Sequence, residues 1–195
     1  MEIIRVEGES PLSVKGGNMS YNIFFISDTH FAHQNCYSFL NDDGTKMRPW
    51  SNCEEADEIM IQNWNSVVKP EDKIYHLGDV GFKNTPCRNI LSRLNGRKCL
   101  IKGNHDLFKP SFYNEYFYDI RGCYNLDNYL LTHIPVHPSS KARFIRNIHG
   151  HVHSNQLKDK WYKCVCVECI NYTPIAFEDI KNELLTNVNN NDILL

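Results

Sequence analysis

No apolar run in this chain approaches the roughly 20 residues that a membrane-spanning helix needs, and Met1 to Asn18 lack the apolar centre of a signal peptide. A formal net charge of −2 gives no strong excess of either sign, which argues against extended electrostatic attachment to nucleic acid but leaves room for a local basic patch. Internal repeats and long low-complexity tracts are missing too. These absences argue against a membrane-spanning helix and a repeat architecture. They lead us to expect a soluble protein without a membrane partner, cytoplasmic, or in the host cytoplasm if the chain is viral.

Eight cysteines in 195 residues are many, yet a chain of this length buries an adequate core without a disulfide framework, and no secretion signal accompanies them. A reducing compartment fits better. Cys164, Cys166 and Cys169 suggest a thiolate zinc site, but a second paired Cys-x-x-Cys is missing, and Cys164 to Val167 reads as part of a β-branched strand.

The pattern predicts one domain over residues 19–186, preceded by a leader of uncertain order over 1–18 and followed by an Asn-rich tail over 187–195. Ile23 to Ile26 reads as a buried strand, and Ser51 with Glu54 as the capping box of a helix whose stripe is Ala56, Ile59, Met60, Asn63, Trp64 and Val67. Ile74 to Leu77 is the next strand, Thr85-Pro86 opens a second helix that closes at Asn95-Gly96, and Cys99 to Ile101 is a third strand. Further strands are expected at Tyr129 to Thr132, Phe144 to Ile148 and around Trp161 to Val167, with a last helix over Glu178 to Leu185.

Against this alternation of strand and helix, five polar clusters recur: Asp28-Thr29-His30, Gly78-Asp79, Gly103-Asn104-His105-Asp106, Thr132-His133 and Gly150-His151-Val152-His153. They follow strand ends, the rim where open α/β sheets gather ligands. Carboxylate, amide and imidazole together suit hard and borderline divalent cations. Singly, an Asp-x-His or a Gly-Asp is a turn, a cap or an ion pair. Together, in this order, the clusters predict a metal site. His151 and His153, two apart on an extended segment, are expected to share a face.

The order and spacing resemble the calcineurin-like metallophosphoesterase superfamily, whose motifs are D-x-H, G-D, G-N-H-[DE], H and G-H-x-H. The stretches Ser27 to Phe31, Tyr75 to Asp79 and Asn171 to Ile175 look like a small single-domain branch found in bacteria and their phages. The resemblance implies an α/β fold, a four-layer sandwich of two mixed β-sheets flanked by helices, with two divalent ions (manganese, iron or zinc) at one edge. By position, Asp28, His30 and His153 hold one ion, Asp79 bridges, and Asn104, His133 and His151 complete the other.

The implied reaction is phosphoester hydrolysis by a metal-bridging hydroxide, with His105 protonating or stabilising the leaving oxygen. Asp106 either orients His105 or holds the loop. Protein phosphatases of the superfamily carry an Asp-Arg pair after Gly-Asp and a Glu after Asn-His, which this chain lacks. What remains is a phosphodiester, namely a nucleotide or a short nucleic-acid end, slightly ahead of a small phosphomonoester. A noncatalytic scaffold is the rival reading, and retention of His105 with all seven ligand positions argues against it.

Four arginines, Arg48, Arg88, Arg143 and Arg146, could fork onto a distal phosphate, although arginine is more often a solvated surface group. His33, three residues beyond His30, could touch substrate or simply pack. His137 and His149 read as supporting or loop residues.

Overall fold

The computed structural model describes residues 21–41 and 43–191, so the expectations for residues 1–18 and for the last four positions of the tail lie outside the described residues. β1 (Ile23–Ile26), β2 (Lys73–His76), β3 (Arg97–Ile101) and β4 (Asp119–Arg121) pair in parallel, in register Phe24↔Ile74, Tyr75↔Cys99 and Leu100↔Ile120. A second sheet joins β5 (Cys123–Leu126), β6 (Tyr129–Thr132), β7 (Arg146–His149) and β8 (Tyr162–Cys164), antiparallel between β5 and β6 and parallel thereafter. The chain then returns to the first sheet as β9 (Ile175–Ala176), antiparallel to β1. The result is two mixed β-sheets flanked by helices.

Buried on both faces, as parallel strands are, β1 supplies two cores. Phe24 and Ile26 point to the helices, where they meet Met60, Trp64 and Leu91, and Phe25, beside Tyr75 of its own sheet, points to the second sheet and the core with Leu131 and Ile148. The helix-side core is closed by α1 (Cys53–Val67), α2 (Asn84–Leu91) and the one-turn α3 (Pro110–Tyr113). The core between the sheets is closed by α4 (Phe177–Asn191), whose Phe177 ring sits 5.5 Å from Phe25 and 4.9 Å from Tyr129, edge-on to both.

Several boundaries differ from the sequence expectations. Asn52, not Ser51, caps α1 by accepting from the Glu55 N–H at 2.9 Å, because the amide oxygen reaches the free donor three residues on. The last helix begins at Phe177 and continues past Leu185 to Asn191, through part of the expected tail. The strand expected over Trp161 to Val167 is only Tyr162–Cys164, after which the chain bends into a 3-10 turn at Val167–Cys169. Ser27 pairs with Cys166 in an isolated parallel bridge, and this bend carries Cys166 across from the second sheet to the end of β1.

Candidate metal centre

Each of the five polar clusters lies just beyond the C-terminal end of a parallel strand: β1, β2 and β3 in the first sheet, β6 and β7 in the second. Backbone bonds stitch neighbouring turns together, from Asp28 N to Gly78 O at 3.0 Å, His30 N to Asp79 O at 3.1 Å and Gly150 N to His133 O at 2.9 Å. Across the sheets, the His151 N–H donates to Asp28 Oδ2 at 2.9 Å. The approach is close enough to demand glycine at position 150, where a Cβ would overlap Ser27 Oγ and Asp28 Oδ2.

Five of the seven candidate ligands are held in left-handed backbone: Asp28 (φ 58°), His30 (φ 48°), Asp79 (φ 58°), His151 (φ 72°) and His153 (φ 49°). For an L-residue this conformation costs roughly 1–2 kcal/mol, and such strain clusters where a side chain must be aimed. It also corrects the extended reading of His151 and His153. They sit in two successive turns, His151 in one closed by Val152 N to Gly150 O and His153 in one closed by Asn155 N to Val152 O, each at 2.9 Å, and their rings diverge, His151 lying 5.1 Å from the His133 ring and His153 5.2 Å from the His30 ring.

The donors converge. Asp28 Oδ1 lies 3.8 Å from His30 Nε2 and 3.9 Å from His153 Nε2, and Asp79 Oδ2 lies 3.8 Å from His30 Nε2 and 3.5 Å from His133 Nε2. Asn104 Oδ1 is 2.9 Å from His133 Nε2. Ligand atoms of Asp28, His30 and His153 lie within 4.8 Å of one another, as do those of Asp28, Asp79 and His133, so Asp28 faces both groups. The carboxylate–imidazole gaps of 3.5 to 3.9 Å match ligands that share an ion with bonds near 2.0–2.2 Å, whereas Asn104 and His133 stand at hydrogen-bonding distance.

The fit of this cradle to cations rests on what is left unpaired. Asp28 Oδ1 and both ring nitrogens of His30 are buried with no hydrogen-bond partner, although buried polar groups are ordinarily satisfied. Burial, followed by the charges of Arg48 and His153, pushes the His30 pKa down to about 2, leaving a neutral imidazole suited to ligation. Asp79 resists the upward push of burial through the His133 imidazole and the His105 N–H, and stays ionised with a pKa of about 2.

The remaining functional side chains lie behind this ring of donors. Cys166 donates its thiol to Asp28 Oδ2 at 3.2 Å and Cys169 donates to the His153 carbonyl at 3.0 Å, so these thiols brace the candidate ligands. Glu168 Oε2 lies 3.2 Å from His153 Nδ1, and its other oxygen accepts from Arg48 Nε at 2.9 Å. Arg48 is wholly buried and also donates to the carbonyls of Asp28 and Thr29, at 2.6 and 2.9 Å. It is therefore unavailable to a distal phosphate. Arg88 pairs with Glu115 and Arg146 with Glu183 at 2.8 Å.

Asp106 holds the loop. Its carboxylate accepts from the backbone N–H of Asp79 (2.9 Å), Val80 (2.9 Å) and Gly103 (2.8 Å), locking the second cluster to the third. His105, exposed, donates its backbone N–H to Asp79 Oδ1 at 2.8 Å and presents its ring 5.7 Å from that of His30. His76 was missed in the sequence, where it reads as one more strand residue. It accepts from Gly78 N at 3.2 Å, which places its proton on Nε2, 2.9 Å from Thr29 Oγ1. His149 is buried against Tyr162 at the start of the Gly150 turn, its Nδ1 2.8 Å from the Gly150 carbonyl, and His137 caps a surface turn.

The fold gathers oxygen and imidazole donors into a candidate metal centre, and the profile of the calcineurin-like phosphoesterase family matches residues 21–185. The protein belongs to that family. It is 35% identical over 175 residues to an uncharacterized protein of Methanocaldococcus jannaschii, covering 80% of this chain and 87% of that one. The gene 66 protein of Mycobacterium phage L5 is 34% identical over 91 residues, 44% of this chain and 40% of the relative. Among solved structures, a protein of unknown function from Aquifex aeolicus superposes with a TM-score of 0.65 at 30% identity, over 84% of this chain and 99% of the other.

Proposed function

We propose that the protein is a binuclear metal-dependent phosphoesterase that prefers phosphodiesters, with a nucleotide or a short nucleic-acid end as substrate. Asp28, His30 and His153 would hold one cation and Asn104, His133 and His151 the other, with Asp79 serving both. Two such cations supply Lewis acidity toward the phosphoryl oxygens and a nucleophilic water at neutral pH. Manganese, iron and zinc all suit this donor set. The observation that carries the reading is the buried set of unpartnered atoms, Asp28 Oδ1 and His30 Nδ1 and Nε2, at the focus of the clusters.

The chain's own contribution is positional. Asp106 and the left-handed turns fix the donors before substrate arrives, Glu168 sets the His153 ring, and the exposed His105 is free to protonate the leaving oxygen. Next to Asn104 and His133 runs an open cleft of about 400 Å³, also lined by Lys102, Gly122 and Ile134, large enough for a nucleotide-sized group. The preference for diesters rests on Arg48, Arg88 and Arg146 being engaged elsewhere, so that none of them clamps a monoester dianion. Eight free thiols support a reducing, cytoplasmic setting.

Metal-stripped protein resupplied with manganese, zinc, iron(II), nickel or magnesium, assayed on bis-p-nitrophenyl phosphate and p-nitrophenyl phosphate beside Asp79→Asn, tests this function. Faster diester turnover that depends on the metal and vanishes in the variant is the expected result. Preferential monoester turnover overturns the diester preference, and turnover of neither ester at any metal overturns the enzymatic reading in favour of a scaffold.

A further inference from the structure

The proposed reaction gives no task to His33, three residues beyond His30. Its ring lies 5.8 Å from that of His30 and is clamped on two sides. Phe82 stacks on it at 3.7 Å with an interplanar angle of 15°, and Phe39 meets it edge-on at 6.2 Å. Phe82 in turn lies 5.3 Å from both His30 and His105, so one aromatic ring sets the plane of His33 next to the residues that would flank a bound phosphate. The remaining freedom, which nitrogen carries the proton, is removed by Cys36.

The Cys36 sulfur lies 2.8 Å from His33 Nδ1. Burial pushes its thiol up to about 11, so it stays protonated and donates. The imidazole proton is then on Nε2, which has no hydrogen-bond partner among the described residues, on a ring that is only half-buried. Donor atoms of His30, His33 and Cys36 fall within 4.8 Å of one another, but the trio is a poor cation site. Nitrogen and sulfur on one tetrahedral ion, with bonds near 2.0 and 2.3 Å, stand about 3.5 Å apart, whereas these two are at hydrogen-bonding distance.

We propose that His33 is a substrate-binding residue whose Nε2–H donates to a nonbridging oxygen of the phosphate held at the metal centre, with Cys36 fixing the tautomer and Phe82 the ring plane. The inference rests on the phosphoester reading above and adds a phosphate contact supplied by the protein alone. It gives purpose to a buried thiol and an aromatic stack that the metal site does not itself require.

The test uses inorganic phosphate, titrated calorimetrically into manganese-loaded full-length protein, so that it does not depend on turnover. His33→Phe keeps the ring stacked on Phe82 and removes the donor, and His33→Gln restores an N–H. A hydrogen bond to a charged oxygen predicts about tenfold or more weaker phosphate binding in His33→Phe, partial recovery in His33→Gln, and metal content and melting temperature as in the wild type. On bis-p-nitrophenyl phosphate, KM should rise in step with the lost phosphate affinity. Equal phosphate affinity in His33→Phe and wild type overturns the inference while leaving the enzyme reading intact. Loss of bound metal in His33→Phe, or of a third equivalent in Cys36→Ala, assigns the pair to metal binding and overturns it. Failure of the loaded wild type to bind phosphate at all overturns both.

Discussion

Glu168 Oε2 and His153 Nδ1 stand 3.2 Å apart, and that contact leaves the opposite ring nitrogen of His153 facing Asp28. Burial pushes the Glu168 carboxyl up, but the hydrogen bond with His153 and the Arg48 charge override it and hold it at about 2, so a full negative charge backs the imidazole. A carboxylate behind a histidine ligand raises its basicity and fixes its tautomer. Glu168→Gln is therefore expected to weaken metal binding roughly tenfold to a hundredfold, measured by competition with a chromophoric chelator. Unchanged affinity would reduce Glu168 to a partner of Arg48.

His105 and Asp106 are adjacent but differently placed, His105 exposed and Asp106 buried under three backbone N–H groups, and the proposed function gives them opposite jobs. His105→Ala should keep both cations and lose turnover by roughly a hundredfold to ten-thousandfold, the range of general acid catalysis. Metal content by atomic absorption beside kcat decides this.

Asp106→Asn should do the reverse. An amide nitrogen turned toward any of the N–H groups of Asp79, Val80 and Gly103 leaves buried donors unmet, at a cost of about 1–3 kcal/mol each. Urea denaturation should show the lost stability, with metal retention falling as the two turns part.

Gly150→Ala tests the close approach of the two sheets. Its Cβ would overlap Ser27 Oγ and Asp28 Oδ2 and come within 2.8 Å of Ser27 Cβ. Overpacking of this kind costs roughly 1–3 kcal/mol. Because Asp28 must shift, dialysed Gly150→Ala should retain less metal than wild type, and a crystal structure with Asp28 undisplaced would contradict the argument.

His76 should cost the metal-free protein stability as the pH falls, against the buried Asp57, whose carboxyl is pushed up to about 7 by burial and acts in the opposite direction. Burial lowers His76 to about 3, against roughly 6.5 in an unfolded chain. As pH falls below about 6.5 the unfolded state takes up a proton that the folded state refuses, so stability drops and continues to drop until about pH 3. Between pH 7.5 and 5.5 this one group should remove about 1.4 kcal/mol, read as a shift in urea midpoint. His76→Gln, which can still donate to Thr29, should flatten that slope, and an identical slope would remove His76 as its source.

The clusters could be read in the sequence because short apolar strands announce β1, β2, β3, β6 and β7, and their ends carry chemically unusual residues. Strands of two or three residues with no fully buried position, such as β9 and β4, give too little periodicity to register. The turn at His151 to His153 escaped because a two-residue spacing looks the same whether the backbone is extended or left-handed. Arg48 and Glu168 are 120 positions apart, and no local pattern joins them. The one hint was compositional: a charged residue among Cys164, Cys166 and Cys169, in a segment otherwise fit for a core.

Asp28, His30, Asp79 and Asn104 leave the first sheet, whereas His133, His151 and His153 leave the second. A cation shared by the two sets is a cross-link between layers that are far apart along the chain. The native cradle exists only after the sheets have docked, a late and non-local event in folding. Metal should accordingly bind after chain collapse rather than template it, and should act mainly on the rate at which the layers separate. Chelation would then shorten the lifetime of the native state while leaving the speed of refolding nearly untouched.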